Sequence, residues 1–157
     1  MSAAFLIALL ASMFTALAIV ATQRVHGHLT LDGHSGVQKL HAAPTPRVGG
    51  LALLVGFVVG GINLPDGHKW VWWLSCLAVC PAFLFGLAED LTKRVGVRTR
   101  LLATICAGLI FCLLTGYQIT HVDLPGADWL LSFWLPSLLF TAVAIGGIAN
   151  AINIVDG

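Results

Sequence analysis

Glu89 and Asp90 are neighbouring carboxylates in a chain that carries only seven acidic residues in 157. They stand where an apolar run, Trp70–Ala88, gives way to the basic stretch Lys93–Arg100. A charge within the hydrocarbon of a bilayer costs about 2.5–3.5 kcal/mol even on the lenient insertion scale, so two at its edge need water, partners or a task. Two tasks fit carboxylates in that place. Mg²⁺ takes oxygen ligands and needs only one or two carboxylates when phosphates and waters complete its shell, and acids at membrane depth also relay protons in transporters. The plain alternative is an interfacial acid pair neutralised by Lys93, Arg94 or Arg98. A second polar set, Asn150, Asn153 and Asp156, recurs every three residues at the end of another apolar run. If helical, that spacing puts all three on roughly one face.

These residues need a scaffold, and composition says of what kind. The chain is 58% hydrophobic and 10% charged, with a mean hydropathy of +0.93, against about 25% charged residues in ordinary soluble domains. Runs near the ~20 residues that a helix needs to cross a bilayer occur at Ser2–Thr22, Val48–Leu64, Trp70–Ala88, Leu101–Ile119 and Trp129–Ala149. The expectation is an all-α polytopic membrane protein with about five transmembrane helices, the second being the shortest. Ser2–Thr22 lacks a basic n-region, and its apolar stretch is longer than a signal peptide's h-region of about 7–15 residues, so it is read as a span.

Of eight Lys and Arg residues, Arg24, Lys39 and Arg47 fall between the first two runs and Lys93, Arg94, Arg98 and Arg100 after the third, leaving Lys69 for the other side. The positive-inside rule then makes both basic connections cytoplasmic and puts the N-terminus outside. Trp70, Trp72, Trp73 and Trp129 gather at the opposite ends, as an interfacial belt would. Gly56-x-x-x-Gly60 offers a small-residue face for close helix packing, and Pro81 and Pro136 predict kinks.

Several features carry less chemistry. Cys76, Cys80, Cys106 and Cys112 all lie within predicted spans, without a Cys-x-x-Cys pair, and read as apolar packing rather than as disulfides or a zinc site. His26, His28 and His34 read as part of a solvated connection. Lys39, Arg47, Arg94, Arg98 and Arg100 are able to neutralise phosphates, Arg by bidentate contacts and Lys as a point charge; topology and anionic-lipid contact are the competing uses for each. The 25-residue connection Gln23–Arg47 is long for a compact link and so reads as functional or mobile. It ends in Pro44-Thr45-Pro46, whose preceding residues favour extended geometry.

Three strings occur together in order and spacing: Lys39-x-His41-x-x-Pro44-Thr45-Pro46-Arg47-x-Gly49-Gly50, then Gly86-Leu87-Ala88-Glu89-Asp90, then Asn150-Ala151-Ile152-Asn153-Ile154-Val155-Asp156-Gly157. Together they resemble the prenyl-phosphate N-acetylhexosamine-1-phosphate transferases, the glycosyltransferase 4 family. The resemblance implies transfer of a sugar 1-phosphate from a UDP-N-acetylhexosamine to undecaprenyl phosphate, with release of UMP and with Mg²⁺, in cell-envelope polysaccharide synthesis at the bacterial inner membrane. It implies catalytic roles for Asp90, Glu89 and Asp156, with Asp90 and Asp156 on the metal. Substrate binding is implied for Lys39, His41, Arg47, Asn153 and Asn150. Nucleic acid is not an expected partner, and a homodimer is left open.

Two departures from the family pattern stand out. The family's acidic pair is usually Asp-Asp, and Glu89 reaches roughly 1.5 Å further, about one C–C bond. Members also carry about ten spans, so the chain is expected to be the N-terminal part of one transferase domain, with a later metal-binding Asp and a His-rich loop lying beyond Gly157. Pro46-Arg47 resembles the N-acetylglucosamine or O-antigen branch more than the muramoyl-pentapeptide branch. Competing readings are a cation- or proton-coupled transporter fragment, which offers no account of Lys39–Gly50 or the Asn-rich end, and a non-catalytic membrane module, which predicts no transfer by the 157-residue chain.

Overall fold

The computed structural model describes residues 3–25, 48–92 and 95–155, with side chains as far as Ile152. Lys39, His41, Arg47, Lys93, Arg94, Asp156 and the side chain of Asn153 therefore lie outside the described residues. Among those described, every regular element is a helix: α1 (Ala3–Ala21), α2 (Gly49–Ile62), α3 (Asp66–Thr92), α4 (Val97–Thr115), α5 (Pro125–Leu131) and α6 (Trp134–Val155). α1, α3, α4 and α6 are long and apolar enough to cross a membrane. α2 has 14 residues, about 21 Å at 1.5 Å per residue, short of a hydrocarbon core of about 30 Å.

Side-chain size sorts opposite to the rule for water-soluble proteins. Most buried positions are small, Ala52, Ala78, Ala103, Ala107 and Ala142 among them, with Leu131 and Leu138 as exceptions, whereas Phe14, Leu53, Leu84, Leu102, Leu113 and Ile148 are exposed. Lipid is as apolar as leucine, so nothing drives large side chains inward, and helices associate where small residues let their backbones approach. The protein is an all-α polytopic membrane protein on this pattern.

The described chain forms two compact units, the second made of Leu74–Gly86 and Val95–Asp156. In the first unit, α1 packs on α2 through the small-residue face expected from Gly56 and Gly60. A Cβ on Gly56 would lie 2.8 Å from the Ser12 Cβ and 2.9 Å from the Ala8 carbonyl oxygen. Trp72 is the exception to the expected aromatic belt. Its indole stacks on Phe57 at 4.2 Å, donates from Nε1 to the Phe57 carbonyl at 3.0 Å, and occupies the space that any side chain at Gly61 would need. Trp72 thus fastens the start of α3 to α2, while Trp70, Trp73 and Trp129 remain exposed.

In the second unit α4 packs on α6 in the same way: a Cβ on Gly108 would meet the Ala142 Cα at 2.9 Å, and one on Gly146 the Ile105 Cγ1 at 2.6 Å. α4 stops at Gly116, whose φ of 75° is a left-handed conformation suited to glycine, and whose N–H bonds the Cys112 carbonyl at 2.9 Å. The following link is pinned to α6. The Ile119 N–H donates to Thr141 Oγ1 at 2.8 Å and its carbonyl accepts from Ser137 Oγ at 2.9 Å, so two buried hydroxyls supply the bonds that this non-helical backbone lacks. Further on, Asp128 accepts the Val122 N–H at 2.7 Å and lies 3.1 Å from His121 Nδ1.

Element boundaries differ from the expectations in three places. The third run, Trp70–Ala88, is part of a 27-residue helix, about 40 Å long, which makes Glu89 and Asp90 helical. The fourth, Leu101–Ile119, starts earlier and ends at Thr115 because Gly116 caps it. The fifth, Trp129–Ala149, is broken: α5 ends at Leu131 and α6 begins at Trp134. Pro136 lies in the first turn of α6, where its missing N–H leaves no intrahelical bond unmade. It helps start a helix there and kinks none. Pro81 does sit inside α3 and withholds the bond that the Leu77 carbonyl would otherwise accept.

Gly56→Ala and Gly108→Ala each push a methyl group into neighbouring backbone. Each is expected to destabilise its helix pair by about 1–3 kcal/mol, read as a lowered midpoint of thermal unfolding in detergent micelles.

Candidate functional site

Glu89 and Asp90 occupy the last turn of α3, both half-buried, in a turn that contains no basic residue. The C-terminal end of a helix carries partial negative charge, so each carboxylate there is disfavoured by about 0.3–1 kcal/mol unless a cation offsets it. Successive side chains on a helix diverge by about 100° and do not face each other. The two acids are thus not a symmetric chelate. Gly86 stands one turn earlier, three residues before Glu89 and four before Asp90, and a Cβ added to it would meet nothing within 4 Å. Glycine inside a helix is destabilising by roughly 0.5–1 kcal/mol relative to alanine, and packing gives no reason for it at this position.

α4 opens with the opposite charge. Gly96 precedes it in extended conformation without a side-chain cap, and Arg98 and Arg100 lie in its first turns, Arg98 exposed and Arg100 half-buried. Cations at a helix N-terminus add to a partial positive charge instead of offsetting it, an arrangement that suits an anion. The Nε of Arg100 is buried.

Within the second unit, Ala82 and Gly86 of α3, Arg100 and Thr104 of α4, and Ala149 and Asn150 of α6 line a cleft of about 140 Å³. Its polar wall is ordered by one chain of hydrogen bonds. Asn150 Nδ2 donates to Thr104 Oγ1 at 2.8 Å and to the Gly146 carbonyl at 2.8 Å. The single proton of the Thr104 hydroxyl is shared between the carbonyls of Arg100 at 3.1 Å and Leu101 at 2.9 Å. An amide nitrogen has two hydrogens and a hydroxyl one. Both Asn150 hydrogens are engaged within the protein, so what Asn150 presents to a ligand is its oxygen, Oδ1.

Of the residues expected at the site, Glu89 and Asp90 sit together at the end of α3 and Asn150 lines the cleft. α6 continues to Val155, so the backbone at Asn153 is helical and shares roughly the face of Asn150. Lys39, His41, Arg47 and Asp156 lie outside the described residues. Among those described, no three His, Cys, Asp or Glu side chains gather to hold a metal ion. The donor chemistry of Asp90 still fits Mg²⁺, a hard cation that accepts one or two carboxylates and takes its other ligands from phosphate and water. Two lining residues carry only weak signals in the sequence: Thr104 is a hydroxyl one turn from Arg100 inside an apolar run, and Gly86 a glycine one turn before the acids.

A membrane scaffold of closely packed apolar helices, with a polar cleft within its second unit, defines a class of polytopic membrane protein. The chain matches the family model for glycosyl transferase family 4 over residues 72–157, and it belongs to that family. It is 25% identical over 167 residues to a decaprenyl-phosphate N-acetylglucosaminephosphotransferase of Mycobacterium tuberculosis, an alignment covering 97% of this chain and 40% of the relative. It is 31% identical over 134 residues to a phospho-N-acetylmuramoyl-pentapeptide-transferase of Gluconacetobacter diazotrophicus, covering 75% of this chain and 36% of the relative. The chain thus spans well under half the length of these relatives. No solved structure matches it.

Gly86→Ala separates a packing role from a ligand role. With open space around the new methyl group, thermal stability in micelles is expected to hold or to rise by about 0.5–1 kcal/mol; a clear loss of stability would show that Gly86 serves helix packing instead.

Proposed function

We propose that the protein, expressed from its complete reading frame, transfers N-acetylglucosamine 1-phosphate from UDP-N-acetylglucosamine to undecaprenyl phosphate and releases UMP. The observation that carries this reading is the family match running from Trp72 to Gly157 through Glu89-Asp90 and the Asn-rich end. Choice of the N-acetylglucosamine donor is supported by the name of the mycobacterial relative and by Pro46-Arg47. Placement of the chemistry at the cytoplasmic face is supported by the distribution of Lys and Arg; a bacterial inner membrane and a role in cell-envelope polysaccharide synthesis rest on the family resemblance.

In this reaction an oxygen of the lipid phosphate bonds to the β-phosphorus of the donor, and the bond from that phosphorus to the bridging oxygen breaks as UMP leaves. Asp90, with Asp156, would hold Mg²⁺, which supplies charge neutralisation to a diphosphate. Glu89 diverges from Asp90 and so offers a separate carboxylate oxygen to take the proton of a protonated lipid phosphate. Arg98 and Arg100, with Lys39, His41 and Arg47, neutralise phosphate oxygens as the transition state forms.

The test incubates membranes carrying the protein with undecaprenyl phosphate, Mg²⁺ and labelled UDP-N-acetylglucosamine, and follows UMP release and labelled lipid. Asp90→Asn is expected to lower turnover at least a hundredfold, in line with the 10²–10³-fold, roughly, that a single electrostatic group supplies to a transition state. Turnover within a few-fold of the parent would remove the role assigned to Asp90. Chelation of divalent ions is expected to abolish transfer, and added Mg²⁺ to restore it. Absence of transfer from any UDP-sugar by the parent would overturn the enzyme reading.

A further inference from the structure

Thr104 ties the Asn150 amide across the interface between α4 and α6. A planar amide carries its nitrogen and oxygen on opposite sides, so fixing one fixes the other. The Asn150 nitrogen is held at two points, by Thr104 Oγ1 across the helix interface and by the Gly146 carbonyl within α6. Thr104 is able to receive that N–H because its own proton is already directed to carbonyls of α4. The chain of bonds therefore runs one way, from Asn150 to Thr104 to the α4 backbone. A flipped amide would set the Asn150 oxygen against the Gly146 carbonyl oxygen, which has no hydrogen to give, and would require the Thr104 hydroxyl to turn away from the α4 carbonyls.

We infer that Thr104 is a positioning residue that presents Asn150 Oδ1 in the cleft to a hydrogen-bond donor of the nucleotide sugar, a hydroxyl or amide N–H rather than a phosphate. The inference rests on the transferase reading and deepens it: the polar wall of the cleft then serves two chemistries side by side. Arg100 answers to anionic oxygen, and Asn150, with its hydrogens engaged, answers to a donor. The apolar floor of Ala82, Gly86 and Ala149 leaves a small group room to approach both.

The experiment measures transfer kinetics of the protein expressed from its complete reading frame, varying UDP-N-acetylglucosamine and undecaprenyl phosphate in turn. Thr104→Val keeps the shape but removes the acceptor. It is expected to raise KM for the UDP-sugar by roughly 2- to 12-fold, the worth of one hydrogen bond, with kcat and the KM for the lipid within about twofold, and Thr104→Ser is expected to restore the parent value. In an Asn150→Ala background, Thr104→Val should add nothing further, since coupled residues are not additive. Leu138→Ala, a buried change in α6 away from the cleft, reports what destabilisation alone does and is expected to leave both KM values unchanged. Full additivity of the two substitutions, or equal KM shifts for both substrates, would overturn the inference while leaving the transferase reading in place. Parent protein without transfer would remove that reading and this inference with it.

Discussion

Lipid offers a backbone no hydrogen bonds and gives two helices no hydrophobic reason to meet, so the pairs α1–α2 and α4–α6 hold together where their backbones come close. Gly56 against Ala8 and Ser12, and Gly108 and Gly146 against Ala142 and Ile105, are those places. The large aliphatic side chains face outward in consequence. Polar side chains then act as fasteners. The Trp72 indole on the Phe57 carbonyl, the Ser137 and Thr141 hydroxyls on Ile119, and Asn150 on Thr104 each join segments that dispersion alone would hold loosely.

The same constraint shapes the site. A charged group near the hydrocarbon is tolerable only where water, a partner or a helix terminus meets it, and Glu89-Asp90 and Arg98 with Arg100 both lie at helix ends. Each has the sign that its helix end disfavours: acids close α3 and arginines open α4. Ordinary stabilisation would place the charges the other way round. Reversed signs concentrate negative potential at one helix end and positive potential at the other, which suits a cation and a phosphate oxygen respectively. Only the four residues Lys93–Gly96 separate the two helices in sequence.

Much of this was legible from residue order. Apolar runs and the near-absence of charge announce membrane helices, because length and hydropathy are properties of the segment itself. The Gly56-x-x-x-Gly60 face was readable for the same reason, since a spacing of four puts two small residues on one helix face. Element ends were less so. Gly116 stopped α4 four residues before its apolar run ends, and the fifth run split at Ser132-Phe133, where hydropathy hardly changes. Trp72 could not be told from Trp70 and Trp73 by type or neighbourhood; only the gap left by Gly61 distinguishes it.

By itself, the order of residues determined the class of scaffold, the positions of its polar motifs and the family to which they belong, because each depends on local composition and spacing. Tertiary structure decided how the polar groups are used. It separated Glu89 from Asp90 by the helical turn between neighbours, and it took up both Asn150 hydrogens so that an oxygen remains. It also gave Thr104 a partner 46 residues away in sequence. Hydrogen bonds between helices depend on which faces pack and at what depth, and the close approach at Gly108 and Gly146 sets both.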